Sequence, residues 1–309
     1  MQHLQTYQVV VPTRGTMDAV QRVHQQIADQ LPSGVVTMVL NPTARDKLDP
    51  EIPERCRARG MSPTVCPGGG VARARNAALT LAPREILVFL DDDVLATSEA
   101  VRRLVDELQR TEACIATGRV LGRPSGRPSD ALWRTDLAFD RGTESRTWTA
   151  RDGVFVSPLC VWQFGVGAAF AVDVTRMKQM LGGMVSFDER LSNGRFAGGT
   201  EDVDYFYSLY VAGGGITYVA DAVFWHDFPT SSRGLRAKCR QYAIADGAFY
   251  AKWRVHVSST DIASEVRGWC ARLTRHLRAR LSRQPAVPLR SLLAEPLYKA
   301  VGVLTWQLR

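Results

Sequence analysis

Three consecutive carboxylates, Asp91-Asp92-Asp93, close an all-apolar run from Ile86 to Leu90. Acids packed so closely repel one another and are costly to desolvate, so solvent or a cation must neutralise them. A hard divalent ion, Mg²⁺ or Mn²⁺, would do this with oxygen ligands while keeping substrate phosphates in its coordination sphere. That chemistry points to a nucleotide diphosphate bridged by a metal. An exposed acidic turn that caps the following helix, with Asp93 near its start, accounts for the same residues without any reaction.

A second acidic group follows at Gly199-Thr200-Glu201-Asp202-Val203-Asp204. A carboxylate near an acceptor hydroxyl can take its proton as a sugar anomeric carbon is attacked, the work of a general base. Thr200 followed by Asp at the third position, Asp202, also resembles a capping box with a shortened acid. Cap and base do not exclude each other. His226, within Val223-Phe224-Trp225-His226-Asp227, is either a hydrogen-bonded core histidine or a further ligand. The triplet Gly68-Gly69-Gly70 lacks the Gly-Lys-Ser/Thr of a phosphate loop and reads as a turn near the same site.

Alternating elements position these groups. Tyr7–Val11 and Val35–Leu40 are short β-branched runs ended by Pro12 and by Asn41-Pro42, and both read as buried strands. Between them, Met17 to Leu31 repeats apolar residues at three- and four-residue steps, as an amphipathic helix does. Val71–Leu81 and Ser98–Leu108 read as helices flanking the strand Ile86–Leu90. Such alternation predicts an α/β fold with a mostly parallel sheet, helices on both faces and ligands beyond the carboxyl ends of the strands. Gly122 to Pro158 reads as extended or loop structure. Strands are expected near Val161–Val172 and Ile216–Val219, and helices near Asp173–Leu181 and from Thr200 or Glu201 to Val211.

With 309 residues, 45% hydrophobic and 23% charged, the chain has the composition of a folded globular protein. No apolar run reaches the length a bilayer requires, and no secretory signal is readable, so a cytoplasmic location is expected. The six cysteines show no zinc-like spacing and are expected to be reduced. The net charge of +8 is unevenly distributed: residues 231–309 hold 15 Lys and Arg against 4 Asp and Glu, whereas residues 1–230 hold 24 against 27. The basic C-terminal part is helical in pattern, broken at Gln284 to Pro288. Arg267, Arg272, Arg275, Arg278, Arg280 and Arg283 alternate there with Val266, Trp269, Leu273, Leu277 and Leu281. Such a helix can lie on an anionic membrane surface at the inner face of the membrane, dock on the catalytic region, or form a homodimer interface.

The succession Val9-Val10-Val11-Pro12-Thr13-Arg14, Ala74-Arg75-Asn76-Ala77-Ala78-Leu79, Leu90-Asp91-Asp92-Asp93, Phe187-Asp188-Glu189-Arg190-Leu191, Gly199-Thr200-Glu201-Asp202-Val203-Asp204 and His226 resembles a family 2 glycosyltransferase of the GT-A fold, over about residues 7–228. The resemblance implies an α/β, Rossmann-like nucleotide-diphospho-sugar transferase with a mixed, mostly parallel sheet and a basic helical C-terminal extension. Residues 1–230 would be the catalytic domain (1–120 nucleotide-sugar-binding, 121–230 on the acceptor side), and 231–309 the extension.

It implies inverting transfer of a hexose-type sugar from a nucleotide diphosphate sugar, UDP by default, to a glycan, lipid-linked or small-molecule hydroxyl. Thr13, Arg14, Arg75, Asn76, Asp91 and Asp92 would bind the donor, and Asp93 and His226 a Mn²⁺ or Mg²⁺ ion. Asp202 would be the base, with Glu201 beside it touching acceptor or donor sugar. A single displacement needs one base and stabilisation of the departing diphosphate, which the metal, Arg14 and Arg75 would supply. One departure is Leu40-Asn41-Pro42-Thr43, where many members carry an Asp-Asp-Gly-Ser-like run against the base; Asn41 retains the capacity to bond a base edge. A nucleotidyltransferase or other phosphoryl-transfer enzyme, and a glycosyltransferase acting on nucleic acid or protein, are the competing readings.

Overall fold

The computed structural model describes residues 6–43, 47–81, 84–124, 139–150, 156–193, 198–227, 231–284 and 286–308. The chain opens as a βαβ unit: β1 (Tyr7–Thr13), α1 (Met17–Gln26) and β2 (Val36–Leu40). Thr16 caps α1 by accepting from the Ala19 N–H, and the helix is shorter than its apolar pattern suggests, passing into a 3₁₀ turn at Ala28–Gln30. Further along come α2 (Glu51–Arg57), β3 (Ser62–Val65), α3 (Val71–Leu81), β4 (Ile86–Leu90), the two-residue β5 (Val94–Leu95) and α4 (Ser98–Arg110). The later part holds β6 (Ala113–Gly122), β7 (Arg146–Trp148), β8 (Ala169–Asp173), α5 (Val174–Leu181), α6 (Glu201–Val211) and β9 (Gly215–His226).

Among the described residues these strands form one sheet in the order β3-β2-β1-β4-β8-β6-β9-β5, with β7 added on β9. β1 to β4 are mutually parallel, and β8 enters antiparallel between β4 and β6, so the sheet is mixed. Its central strands are buried on both faces. One cluster, including Val9, Val11, Val88 and Leu104, lies on one side, and another, including Phe89, Phe170, Phe187 and Phe206, lies on the other.

Two expectations need correction. Val161–Val172 is not one strand: Pro158–Phe164 is a 3₁₀ turn capped by Ser157, and Gly165 at φ 114 then redirects the chain before β8 begins at Ala169. The same apolar residues thus bury as a turn and a strand, a distinction that burial pattern alone does not carry. Thr200 makes no capping box: its side chain accepts no helix N–H, the residue at the reciprocal position is Val203, and its hydroxyl donates to the Ala245 carbonyl, 3.4 Å away. The extended or loop reading of Gly122 to Pro158 accommodates the short β7, and its residues 125–138 and 151–155 lie outside the described part.

Beyond residue 231 three helices follow, α7 (Ser232–Lys252), α8 (Ser259–Leu281) and α9 (Leu289–Gln307). α9 lies on α7 at very short range. A Cβ added at Gly302 would stand 2.0 Å from the Ile244 carbonyl, and one at Gly247 would stand 2.0 Å from the Lys299 carbonyl. Glycine is needed at both crossings to let the backbones meet. Gly302→Val is therefore expected to lower stability by about 1–3 kcal/mol, as overpacking does. Gly268→Ala, where a Cβ meets nothing within 4 Å inside α8, should be neutral or stabilising. Thermal unfolding of the two variants checks the contrast, and equal melting temperatures would contradict the crossing.

Candidate active site

The carboxyl ends of β1, β2 and β4 open into a cavity of about 960 Å³, at the upper end of the range that small-molecule sites occupy. Thr13, Arg14, Arg75, Asp91, Asp92, Asp93, Glu201, Asp202 and His226 all line it. Of the expected site residues only Asn76 stands apart. Its amide donates to the Phe187 carbonyl (3.0 Å) and accepts from the Phe187 N–H (2.8 Å), latching α3 to a distant loop.

The acidic strand end divides its work. Asp92 turns aside, accepting from the Thr13 hydroxyl at 2.6 Å and lying 3.7 Å from the Arg22 guanidinium. Asp91 and Asp93 face His226, whose Nε2 lies 3.2 Å from Asp93 and 4.0 Å from Asp91. Strand pairing causes this: β5 runs antiparallel to the end of β9 with Val94 opposite His226, so the imidazole arrives beside the residue preceding Val94. One potential ligand atom from each of Asp91, Asp93 and His226 lies within 4.8 Å of the others. Two carboxylates and an imidazole suit Mn²⁺, and Mg²⁺ with less contribution from the nitrogen, so the residues fit the expected metal.

Arg75 is 2% exposed and lies at the centre of the site. One nitrogen donates to Glu201 at 3.1 Å, and the other to Asp91 at 3.0 Å and to the Gly167 carbonyl at 2.7 Å. The Phe170 and Phe187 rings flank it, each 5.5 Å from the guanidinium carbon. The guanidinium expected to hold the donor is thus occupied largely by protein. Burial pushes the Asp91 carboxyl up to about 6, against the pull of Arg75. Burial, then the adjacent Asp202, raises Glu201, so Glu201 holds a proton more readily than a free glutamate.

Asp202 is positioned by a residue that the sequence pattern does not reveal. The Gly167 N–H donates to its Oδ2 at 2.5 Å, and a Cβ at Gly167 would stand 2.4 Å from the Asp202 Cβ. The hint lay in two glycines, Gly165 and Gly167, interrupting an apolar run. Tyr242 of α7 is a further functional residue outside the expected set. It lines the cavity, and burial, followed by the charges of Asp202, Asp91 and Glu201, raises its phenol, keeping it a neutral donor. At the nucleotide end, Gly70 lines the cavity and all three residues of Gly68-Gly69-Gly70 have positive φ (118, 69 and 94), a path only glycine follows readily. Asn41 donates to the Gly70 carbonyl at 2.6 Å, while its Oδ1 is buried without a partner among the described residues.

A mixed sheet with an aspartate pair at a strand end, a histidine beside it and a second acidic helix start across the cavity defines the GT-A class of transferase folds. The chain belongs to glycosyl transferase family 2, whose family model matches residues 9–166. It is 25% identical over 195 residues to the succinoglycan biosynthesis protein ExoM of Rhizobium meliloti (strain 1021), a match covering 60% of this chain and 57% of that protein. Among solved structures, Staphylococcus aureus TarS 1-349 in complex with UDP-GlcNAc is similar at a TM-score of 0.52 and 14% identity, covering 98% of this chain and 90% of that one. GalNAc-T7 with UDP, GalNAc and Mn²⁺ is similar at a TM-score of 0.51 and 15% identity, covering 81% of this chain and 51% of that one. At these identities the structural likeness is one of fold.

If Asp91 is a ligand, Mn²⁺ must compete with its proton. Mn²⁺ affinity should weaken as pH falls through about 6, by roughly tenfold per unit below that, and Asp93→Ala should remove most of it. Titration calorimetry across pH 5–8 reads both effects, and an affinity independent of pH would take Asp91 out of the ligand set.

Proposed function

We propose that the protein transfers a sugar from a UDP-sugar to an acceptor hydroxyl by a single displacement that inverts the anomeric centre, with Asp202 as general base. The observation that carries this reading is the pairing of two acidic groups across one cavity. Asp91, Asp93 and His226 are suited to a divalent ion at one end, and Asp202 is fixed by the Gly167 N–H opposite. A bound Mn²⁺ or Mg²⁺ would neutralise the diphosphate as it departs. Asp202 orients the acceptor hydroxyl and takes its proton, using the oxygen not committed to Gly167. Arg14, exposed at the cavity rim, supplies positive charge toward the leaving phosphates.

Uridine as the base is supported by Asn41. Its amide nitrogen is engaged by Gly70, so the buried Oδ1 is left to accept an N–H, which an imide such as uracil offers. The complexes of TarS with UDP-GlcNAc and of GalNAc-T7 with UDP point the same way. The acceptor is read as a saccharide, in keeping with the succinoglycan biosynthesis to which ExoM belongs. The far end of the cavity accords with that. Lys238, Tyr242, Asp246 and Tyr250 follow one another at four-residue steps, presenting polar and aromatic groups along one stripe of α7. In this reading residues 1–120 hold the donor, 121–230 bring the base, and 231–309 form the acceptor wall.

Two substitutions test the base. Asp202→Asn should lower transfer by about 10²–10⁴-fold, the usual contribution of a general base, with Mn²⁺-dependent UDP binding retained. Gly167→Ala should cost about 10²-fold in turnover by displacing Asp202 while the protein remains folded. The assay is UDP release with a panel of UDP-sugars. Wild-type turnover in Asp202→Asn would end the assignment, and release of pyrophosphate instead of UDP would favour phosphoryl transfer.

A further inference from the structure

The exposed large apolar residues of this protein are concentrated in one region. Fourteen stand exposed among the described residues, and nine of these lie between Val255 and Leu308. On α8, Ile262, Val266, Leu277 and Leu281 fall within one arc of the helix, and Leu281 is 86% exposed. On α9, Leu293, Leu297, Leu304 and Leu308 fall within another arc, opposite the side where Gly302 meets α7. The inward faces of the two helices are already engaged. Trp269 donates to the Leu292 carbonyl at 2.9 Å, and Arg272 pairs with Glu295 at 2.5 Å.

Charge is sorted in the same way. The four acids of residues 231–309 are all committed elsewhere. Asp246, Glu265 and Glu295 gather around Lys299 on the cavity side, and Asp261 closes the capping box of α8 with Ser258. Arg267, Arg278, Arg283 and Arg290 are exposed beside the leucines and pair with no carboxylate among the described residues. A surface of unpaired arginines flanking bare leucines is complementary to phosphate headgroups above an acyl layer. A second copy of the chain fits poorly, since a twofold interface would set this basic face against itself. None of the described helices is long and apolar enough to cross a membrane, and Glu295 and Lys299 interrupt α9, so the contact would be in the plane of the surface.

We propose that the outer faces of α8 and α9 dock on an anionic lipid bilayer, with the leucines at the acyl boundary and the arginines on lipid phosphates. The inner faces of the same helices wall the catalytic cavity, so docking would hold that cavity close to the lipid surface.

Sedimentation of the full chain with vesicles tests this without any sugar donor. Phosphatidylcholine vesicles containing about 30% phosphatidylglycerol should bind the protein, and pure phosphatidylcholine should bind it much less. Binding should weaken with added salt. The pairs Leu277→Ser with Leu281→Ser, and Leu297→Ser with Leu304→Ser, should each reduce partitioning by roughly tenfold, with Mn²⁺ binding and melting temperature unchanged. Equal binding to both vesicle types, undiminished binding by the leucine variants, or no binding at all would overturn the proposal. A lipid-free dimer broken by the same substitutions, without vesicle binding, would assign the face to a second copy instead.

Discussion

The site depends on one buried guanidinium. Arg75 ties together three segments that strand pairing alone leaves independent: the acidic end of β4 through Asp91, the lead into β8 through the Gly167 carbonyl, and the start of α6 through Glu201. A buried cation without partners costs several kcal/mol, so the three acceptors must be present together for the fold to hold Arg75 where it is. The constraint also works outward. Once Gly167 is fixed by its carbonyl, its N–H is aimed at Asp202, and once Asp91 is fixed, Asp93 is presented to His226. The two acidic groups of the cavity thus share one anchor. The phenylalanines on either side of Arg75 exclude water and make the anchor rigid, because a guanidinium packed between rings has few other rotamers to visit.

Around this anchor, one helix carries the ties that hold the later half of the chain in place. α3 contributes Arg73, which bonds Glu189 at 2.9 Å, and Asn76, which clasps Phe187 in both directions. At the same helix start the Ala72 N–H donates to the Ser192 hydroxyl. The segment after α5 is therefore pinned at Phe187, Glu189 and Ser192 before α6 begins. α7 then grips the other side of that segment. Lys252 bridges Asp188 and Asp204 at 3.0 and 2.7 Å, and the Trp253 indole donates to Asp204. Asp188 would be raised by burial, but hydrogen bonds from Arg190 and Lys252 outweigh this and hold it well below the usual carboxylate range. The motif residues near the base serve mostly to carry load: among Asp188, Glu189, Arg190 and Asp204, every charge is spent on a neighbour.

How much of this was legible in the sequence follows from the range of the interactions. β1, β2, β4 and the helices α1 and α3 announce themselves by local periodicity, because a strand buried on both faces needs an unbroken apolar run, whereas the short α2 and β3 in the Pro- and Arg-rich connection after β2 do not. Asp91 to Asp93 stand out for the same local reason, as charges placed where such a run ends. The pairing of β8 between β4 and β6 depends on partners far apart in the chain, and no window of sequence contains it. For that reason Val161–Val172 reads as a single strand and Gly167 passes unnoticed. Its lack of a side chain matters only because Asp202 approaches from another element. Asn76 shows the converse case. A residue carried into the donor set by resemblance has both ends of its amide committed to the backbone of Phe187.

The charge asymmetry is also explained by range. Counted along the sequence, the basic C-terminal part invites a single account of its arginines, yet the folded helices separate two populations. Arg272 and Lys299 turn inward and meet Glu265, Glu295 and Asp246 at the wall of the cavity. There the carboxylates slightly outnumber the cations, and burial pushes Asp246 up to about 6. A wall so balanced suits a neutral, hydroxyl-rich ligand better than a polyanion. Arg267, Arg278, Arg283 and Arg290 stay outside near the exposed leucines, where a ligand in the cavity cannot reach them. One pair of helices can therefore face the reaction on one side and a charged surface on the other, because the acids that would otherwise neutralise the outer face are drawn inward around Lys299.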